Sequence, residues 1–195
     1  MREFIYKFIS KIIYFVFKLF FRAKVRGQKN LPEEGGVIIM SNHISLLDPP
    51  LIASVLDRPV HFMAKKELFE NPILRLILYI ADAFPVDRES TDIKAVKKAL
   101  NILKNGEVLG LFPEGTRGDE SEVADLKDGS VMLAVRSRVP ILPVGIKNIK
   151  KKGRVTINIG EPFTMENFPK KRLSDQQRKE AGEFIKEKIV KLVNS

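Results

Sequence analysis

A histidine and an aspartate five residues apart are the side chains in this sequence best suited to acid–base chemistry. They stand in Ser41-Asn42-His43-Ile44-Ser45-Leu46-Leu47-Asp48-Pro49-Pro50, and His43 is one of only two histidines among 195 residues. Residues five apart point about 140° away from each other on a helix, so a loop has to bring the two together. A histidine can take a proton from a hydroxyl, while a carboxylate on its other ring nitrogen stabilises the imidazolium. We predict a general base, His43, steadied by Asp48.

Both residues also have structural alternatives. Aspartate before proline is common at a helix start, so Asp48 could cap the helix that follows by accepting from the N–H of Leu51. His43 alone could be satisfied by local hydrogen bonds. The chain has no cysteine and no Gly-x-Ser-x-Gly motif, so the sequence indicates no enzymic nucleophile. A base without such a nucleophile favours a reaction in which the substrate supplies its own.

Two further polar segments follow predicted strands. One contains Arg88 and the other is Glu114-Gly115-Thr116-Arg117. If the strands are parallel, both segments share the carboxyl edge of the sheet with His43. Two arginines there would bind a phosphate monoester through charge-assisted hydrogen bonds, while Gly115 would allow backbone to approach the ligand and Thr116 would add a hydroxyl donor. The alternative for each charged residue is a local salt bridge.

The surrounding sequence predicts strands alternating with helices. Strands are expected near 24–27, 37–41, 60–64, 107–112, 141–146 and 155–159, a short strand running into a loop over 84–90, and helices near 49–56, 91–104, 130–138 and 174–193. This alternation is typical of an α/β domain with a mostly parallel central sheet flanked by helices. We expect a single such domain over residues 24–195. The apolar stretch 73–80 is predicted to be a helix in the core, with an acyl-chain wall or a membrane contact as the alternatives.

Residues 1–23 are predicted to form a membrane-associating helical segment. At 100° per residue, a broad apolar face lies opposite a basic stripe of about 60°, formed by Lys7, Lys11, Lys18 and Arg22. The longest uncharged run, Ile12–Phe17, is far shorter than the roughly 20 residues that span a bilayer. We expect a peripheral, monotopic helix at the cytoplasmic face of the cell membrane, strengthened by anionic lipid. A helix that merely docks on the sheet is the alternative.

The charge balance predicts anionic partners. The formal net charge is +10 and the chain has no cysteine, which excludes a disulfide framework and fits a reducing compartment. Nucleic-acid readers tend to interleave aromatic and basic residues, whereas the aromatics here crowd the N-terminal helix, so we expect no nucleic-acid partner. A non-catalytic basic protein on a membrane or nucleic acid would explain the charge but not the three polar loops. The scattered acids and two histidines imply no metal.

Taken together, four ordered blocks resemble the glycerolipid acyltransferases, closest to the 1-acyl-glycerol-3-phosphate (lysophosphatidate) acyltransferases. The blocks are Asn42-His43-x-Ser45-x-x-Asp48, Val86-Asp87-Arg88, Phe112-Pro113-Glu114-Gly115-Thr116-Arg117 and Val139-Pro140-Ile141-Leu142-Pro143. The resemblance implies transfer of a fatty acyl group from acyl-CoA or acyl-acyl carrier protein to the hydroxyl of lysophosphatidate, giving phosphatidic acid in phospholipid biosynthesis. No cofactor is implied.

The resemblance also implies roles for individual residues. His43 and Asp48 would be catalytic, and Arg88, Glu114, Gly115 and Arg117 would bind the acceptor. The alternative within the same class is a sibling acyltransferase that acts on glycerol-3-phosphate or another lysophospholipid.

Overall fold

The chain forms helices and strands in alternation. The computed structural model describes residues 2–87, 92–118, 123–149, 154–170 and 172–195. Within these ranges the elements are α1 (Arg2–Phe21), β1 (Lys24–Arg26), β2 (Val37–Ser41), α2 (Asp48–Val55), β3 (Val60–Lys65), α3 (Pro72–Ile80), β4 (Phe84–Val86), α4 (Ile93–Lys104), β5 (Val108–Leu111), α5 (Asp128–Ser137), β6 (Ile141–Lys147), β7 (Thr156–Ile159) and α6 (Asp175–Val193).

A seven-stranded sheet organises the molecule, in the order β1-β7-β6-β2-β5-β3-β4. The pairs β1–β7, β2–β5, β2–β6, β3–β4 and β3–β5 are parallel, and β6–β7 is antiparallel. The segment between β6 and β7 is too short for a crossover helix, so the chain returns beside the strand that it has just left. The predicted mostly parallel α/β fold is therefore confirmed. The carboxyl ends of β2, β5, β3 and β4 meet at one edge.

Helices cover both faces of the sheet, and β2 shows why. All five of its residues are buried, with Val37 and Ile39 in one apolar cluster and Ile38 and Met40 in the other. Alternate residues of a strand point to opposite faces, so a strand that is apolar throughout needs cover on both sides. Residues of α1 and α2 pack in the first cluster, and residues of α4, α5 and α6 pack in the second.

The N-terminal helix α1 both docks and exposes apolar surface. Tyr6, Ser10 and Phe17 are buried, and the Tyr6 hydroxyl accepts a hydrogen bond from the N–H of Val60 at 3.1 Å. A second set of apolar side chains is exposed: Phe8, Ile12, Phe15, Val16, Leu19 and Phe20. The docking alternative therefore describes one side of the helix only. Throughout the described ranges, no helix has the length and apolar character required to cross a bilayer.

The expectation that residues 73–80 form core is wrong. Their segment is a helix, α3, but five of its apolar side chains are exposed: Ile73, Leu74, Leu76, Ile77 and Tyr79. Leu78 packs against the core. The helix connects β3 to the edge strand β4, so only one of its sides has a neighbouring layer to contact. Every residue of α3 except Arg75 is apolar or aromatic, and such a sequence does not reveal which of its apolar sides faces the core.

Candidate active site

The loop between β2 and α2 brings His43 and Asp48 into contact. His43 Nδ1 lies 2.8 Å from Asp48 Oδ2. The prediction that a loop brings these two residues together is therefore confirmed. The same oxygen accepts the backbone N–H groups of Ile44 at 2.7 Å and Ser45 at 2.8 Å. The capping alternative is wrong, because the N–H of Leu51 bonds to the carbonyl of Leu47 rather than to the carboxylate. Asp48 therefore fixes the loop and the imidazole together.

This arrangement determines which ring nitrogen can accept a proton. Asp48 is fully buried, and Oδ2 already accepts from two N–H donors, so Nδ1 of His43 has to donate to it. Nε2 is then the basic nitrogen of the neutral ring. Among the described residues, Asp48 Oδ1 finds no hydrogen-bond partner. Asp48 therefore accepts the hydrogen bonds of the His43 loop through a single oxygen, Oδ2.

An aromatic side chain directly after β5 supports the imidazole. The ring of Phe112 stacks on that of His43, with centroids 4.1 Å apart and an interplanar angle of 22°. Phe62 of β3 stacks in turn on Phe112 at 5.9 Å. No role for Phe112 was predicted, because the only signal that it carries in the sequence is its position at the start of the Phe112–Arg117 block. Phe112 packs against the face of the imidazole, and Asp48 binds its edge at Nδ1.

Glu114 connects the histidine loop to the loop after β5. The residue is buried, and its Oε1 accepts the backbone N–H of His43 at 2.9 Å while Oε2 accepts that of Ala124 at 3.0 Å. The N–H of Gly118 donates to the carbonyl of His43 at 2.8 Å, so both backbone groups of His43 are engaged. Burial raises the pKa of Glu114 above its ordinary value, against the opposite effect of the two N–H donors.

The end of β2 is also tied to its other neighbour. Asn42 Nδ2 donates to the carbonyl of Ile146 at 2.9 Å, and the N–H of Ile146 donates to Asn42 Oδ1 at 2.8 Å. The side-chain amide thereby continues the ladder between β2 and β6 after the strand has turned away. No role for Asn42 was predicted, because an asparagine before a loop has many possible roles.

The remaining predicted site residues lie on the loop after β5 or outside the described residues. Gly115 has a φ of 74°, and a Cβ there would come within 3.1 Å of Lys127 Cγ, so glycine suits this turn. Thr116 and Arg117 are exposed on the same loop, just before Gly118. Arg88 lies outside the described residues, beyond Asp87 at the end of β4. Among the predicted site residues, His43 is thus observed in direct contact with Asp48 through its ring and with Glu114 through its backbone N–H.

The site is suited to proton transfer at an apolar surface. His43 is only 8% exposed, whereas Leu46 on the same loop is 64% exposed. Within the described part of the chain, no group of three or more His, Asp and Glu side chains is placed to hold a metal ion. The geometry is that of a buried base, oriented by a carboxylate and bordered by an exposed loop that carries an arginine.

Comparisons with known proteins show the family to which the chain belongs. A family model described as Acyltransferase matches residues 22–147. The 1-acyl-sn-glycerol-3-phosphate acyltransferase of Bacillus subtilis (strain 168) is 36% identical over 170 residues, which cover 84% of each chain. The protein of the same name from Borreliella burgdorferi is 29% identical over 86% of this chain and 70% of its own. The crystal structure of the 1-acyl-sn-glycerophosphate (LPA) acyltransferase, PlsC, from Thermotoga maritima matches with a TM-score of 0.74 and 30% identity, over 98% of this chain and 80% of that one.

Proposed function

Because this chain belongs to the acyltransferase family, we propose that it transfers a fatty acyl group from a thioester donor to the free hydroxyl of 1-acyl-sn-glycerol-3-phosphate. The product is phosphatidic acid. The names of the relatives support the acceptor and the reaction class. Within this chain, the observation that carries the proposal is the 2.8 Å contact between His43 Nδ1 and Asp48 Oδ2, because it leaves Nε2 as a base.

In the proposed mechanism the acceptor hydroxyl is itself the nucleophile. Nε2 of His43 takes the hydroxyl proton as the oxygen attacks the thioester carbonyl carbon. A carbon–oxygen ester bond forms, the carbon–sulfur bond breaks, and the imidazolium returns its proton to the departing thiolate. Asp48 stabilises the imidazolium between these two transfers, and the stacked ring of Phe112 limits rotation of the imidazole.

Arginines bind the phosphate of the acceptor in this proposal. Arg117 precedes Gly118, whose N–H is bonded to the carbonyl of His43. A phosphate held by this guanidinium would keep the glycerol hydroxyl beside the base, and Arg88 is proposed as the second ligand. Paired hydrogen bonds from guanidinium suit a phosphate better than the point charge of a lysine. Thr116 is proposed to donate its hydroxyl to the same group.

Membrane association at the cytoplasmic face is part of the proposal. The acceptor is a lipid, and the exposed apolar side of α1 includes Phe15 at 64% and Phe20 at 68% exposure. Lys11 and Lys18 are exposed on the same helix. An amphipathic helix with phenylalanines on one side and lysines on the other suits the headgroup boundary of an anionic bilayer. The donor arrives on coenzyme A or acyl carrier protein, both of which are anionic, and the +10 charge favours either.

A transfer assay with purified protein tests the function. Acyl-CoA and acyl-acyl carrier protein are each combined with lysophosphatidate, glycerol-3-phosphate and lysophosphatidylglycerol, and products are identified by mass spectrometry. We expect the highest kcat/KM with lysophosphatidate, and a loss of at least about 10²-fold in kcat for His43→Ala. A preference for another acceptor would assign the protein to a sibling activity. Transfer by a folded His43→Ala variant at the wild-type rate would refute the mechanism.

A further inference from the structure

A groove between α1, α2 and α3 has the size and lining of a binding site for an apolar ligand. It encloses about 560 Å³, within the usual range for small-molecule sites. Its walls are mainly apolar and include Ile9 and Ile13 of α1, Pro50 and Ala53 of α2, and Ile77 and Tyr79 of α3. Nothing in the mechanism described above uses this groove.

One wall of the groove belongs to the helix that carries Asp48. Pro50 follows Asp48 by two residues, and Ala53 lies one turn further along the same side of α2. A ligand in the groove would therefore contact α2, the helix whose first residue is Asp48.

The other two walls belong to the helices that expose apolar surface. Ile77 and Tyr79 of α3 line the groove and are still 55% and 57% exposed. On α1, Ile9 and Ile13 line the groove, while neighbouring Phe8 and Ile12 are exposed. The groove thus lies between two apolar helix faces that, in a membrane-bound protein, would both contact lipid.

We propose that the groove holds the acyl chain of the lysophosphatidate acceptor, which enters it sideways from the bilayer between α1 and α3. The proposal rests on the proposed function, because it assigns a subsite to that acceptor. A single-chain lipid that resides in the membrane can slide into a groove bounded by lipid-facing helices without exposing its chain to water. The thioester donor is carried on coenzyme A or acyl carrier protein, both water-soluble, so it comes from the aqueous side.

Two isoleucines on α3 provide a matched test. Ile77 lines the groove and is 55% exposed, whereas Ile73, one turn earlier on the same helix, is 70% exposed and does not line it. Ile77→Trp fills the groove, and Ile73→Trp adds the same ring to the same helix outside it. Ala53→Leu fills the groove from α2 and serves as a second variant. Each protein is assayed with 1-palmitoyl and 1-decanoyl lysophosphatidate, presented in mixed micelles at a fixed acceptor fraction.

We expect Ile77→Trp and Ala53→Leu to lower the ratio of kcat/KM for the palmitoyl over the decanoyl acceptor by about tenfold, the effect of losing the burial of about two methylene groups. Ile73→Trp should keep the wild-type ratio. The dependence of rate on the chain length of the donor should be unchanged in all three variants.

Several outcomes would overturn the inference. Equal changes of the kcat/KM ratio in Ile77→Trp and Ile73→Trp would indicate that α3 only contacts the membrane. A shifted dependence of rate on the chain length of the donor would assign the groove to the acyl chain of the donor. Unchanged ratios in folded Ile77→Trp and Ala53→Leu would leave the groove without this role while the wild-type activity stands. A wild-type protein that acylates no lysophosphatidate would overturn the proposed function and the subsite together.

Discussion

The substitution Asp48→Asn separates the charge of the catalytic carboxylate from its geometry. Asp48 Oδ2 accepts from the N–H groups of Ile44 and Ser45 as well as from His43. In the variant these two backbone donors require the amide oxygen, rather than the amide nitrogen, at the same position. The imidazole therefore keeps its hydrogen bond and its tautomer, whereas the negative charge is lost. The amide nitrogen occupies the site of Oδ1, which lacks a partner among the described residues.

The expected magnitude follows from the electrostatics of a buried pair. Two unit charges about 4 Å apart attract by roughly 4 kcal/mol at an effective dielectric constant near 20, and the amide dipole retains part of this. A loss of about 2.7 kcal/mol of imidazolium stabilisation corresponds to about 10²-fold in kcat. The unsatisfied buried amide nitrogen should also lower the free energy of unfolding by about 1 to 3 kcal/mol.

The assay compares kcat and thermal unfolding for wild type, Asp48→Asn and Asp48→Ala. Asp48→Ala leaves the N–H groups of Ile44 and Ser45 without their acceptor, so it should destabilise the fold more than Asp48→Asn does. A folded Asp48→Asn protein with wild-type kcat would show that the carboxylate charge does not contribute to the reaction. A loss in kcat far larger than the expected 10²-fold or so would show that the tautomer was not preserved, and the reasoning from the two backbone donors would be wrong.

Three further predictions concern the arginine loop, the first helix and the buried glutamate. Arg117→Lys should raise KM for lysophosphatidate about tenfold by removing a paired hydrogen bond to phosphate, and an equal change with an acceptor lacking phosphate would contradict phosphate binding. Phe15→Ser combined with Phe20→Ser should weaken liposome co-sedimentation by at least about 10²-fold, since each buried phenylalanine contributes about 1.5 to 3 kcal/mol. The control is Ile93→Ser, at an exposed position on α4. Retained binding of the double variant would show that this side of α1 is not the membrane contact. Glu114→Gln keeps the shape of the side chain but replaces one of its two hydrogen-bond-accepting oxygens with a donor. If Glu114 positions His43, kcat should fall and KM should change little. A raised KM alone would indicate that Glu114 binds the lysophosphatidate substrate. Burial raises the pKa of Glu114 in the folded state. The stability that this group contributes therefore falls as the pH rises from the ordinary glutamate pKa through the raised pKa of the folded protein. The thermal unfolding temperature of Glu114→Gln should lack this dependence on pH.

Much of the fold could be predicted from the sequence because its signals are local. The apolar run Val37–Met40 indicated a strand buried on both faces, and Gly106 after α4 marked a helix end. The antiparallel pairing of β7 with β6 is a long-range property, and no local pattern specified it. The exposure of α3 was missed for a similar reason, since a helix whose residues are apolar except for Arg75 looks the same whether its apolar side faces a core or a bilayer.

The candidate site was predictable in its chemistry but not in its supports. Spacing and residue type identified His43 and Asp48, because a histidine and a carboxylate that a loop brings together are suited to proton transfer. The three donors on a single carboxylate oxygen, the stacked Phe112 and the contact of Glu114 with the N–H of His43 depend on how separate loops meet. The resemblance gave Glu114 a substrate role, whereas its observed contacts are with backbone.

The two exposed apolar helices also affect how the protein behaves away from lipid. A monomer that presents several phenylalanines on α1 and several aliphatic side chains on α3 is expected to self-associate in plain buffer. Detergent removal should therefore produce oligomers whose size grows with protein concentration, and adding vesicles should dissolve them. Light scattering during a vesicle titration would then report the same surfaces that catalysis at the bilayer would occupy, without any substrate being turned over.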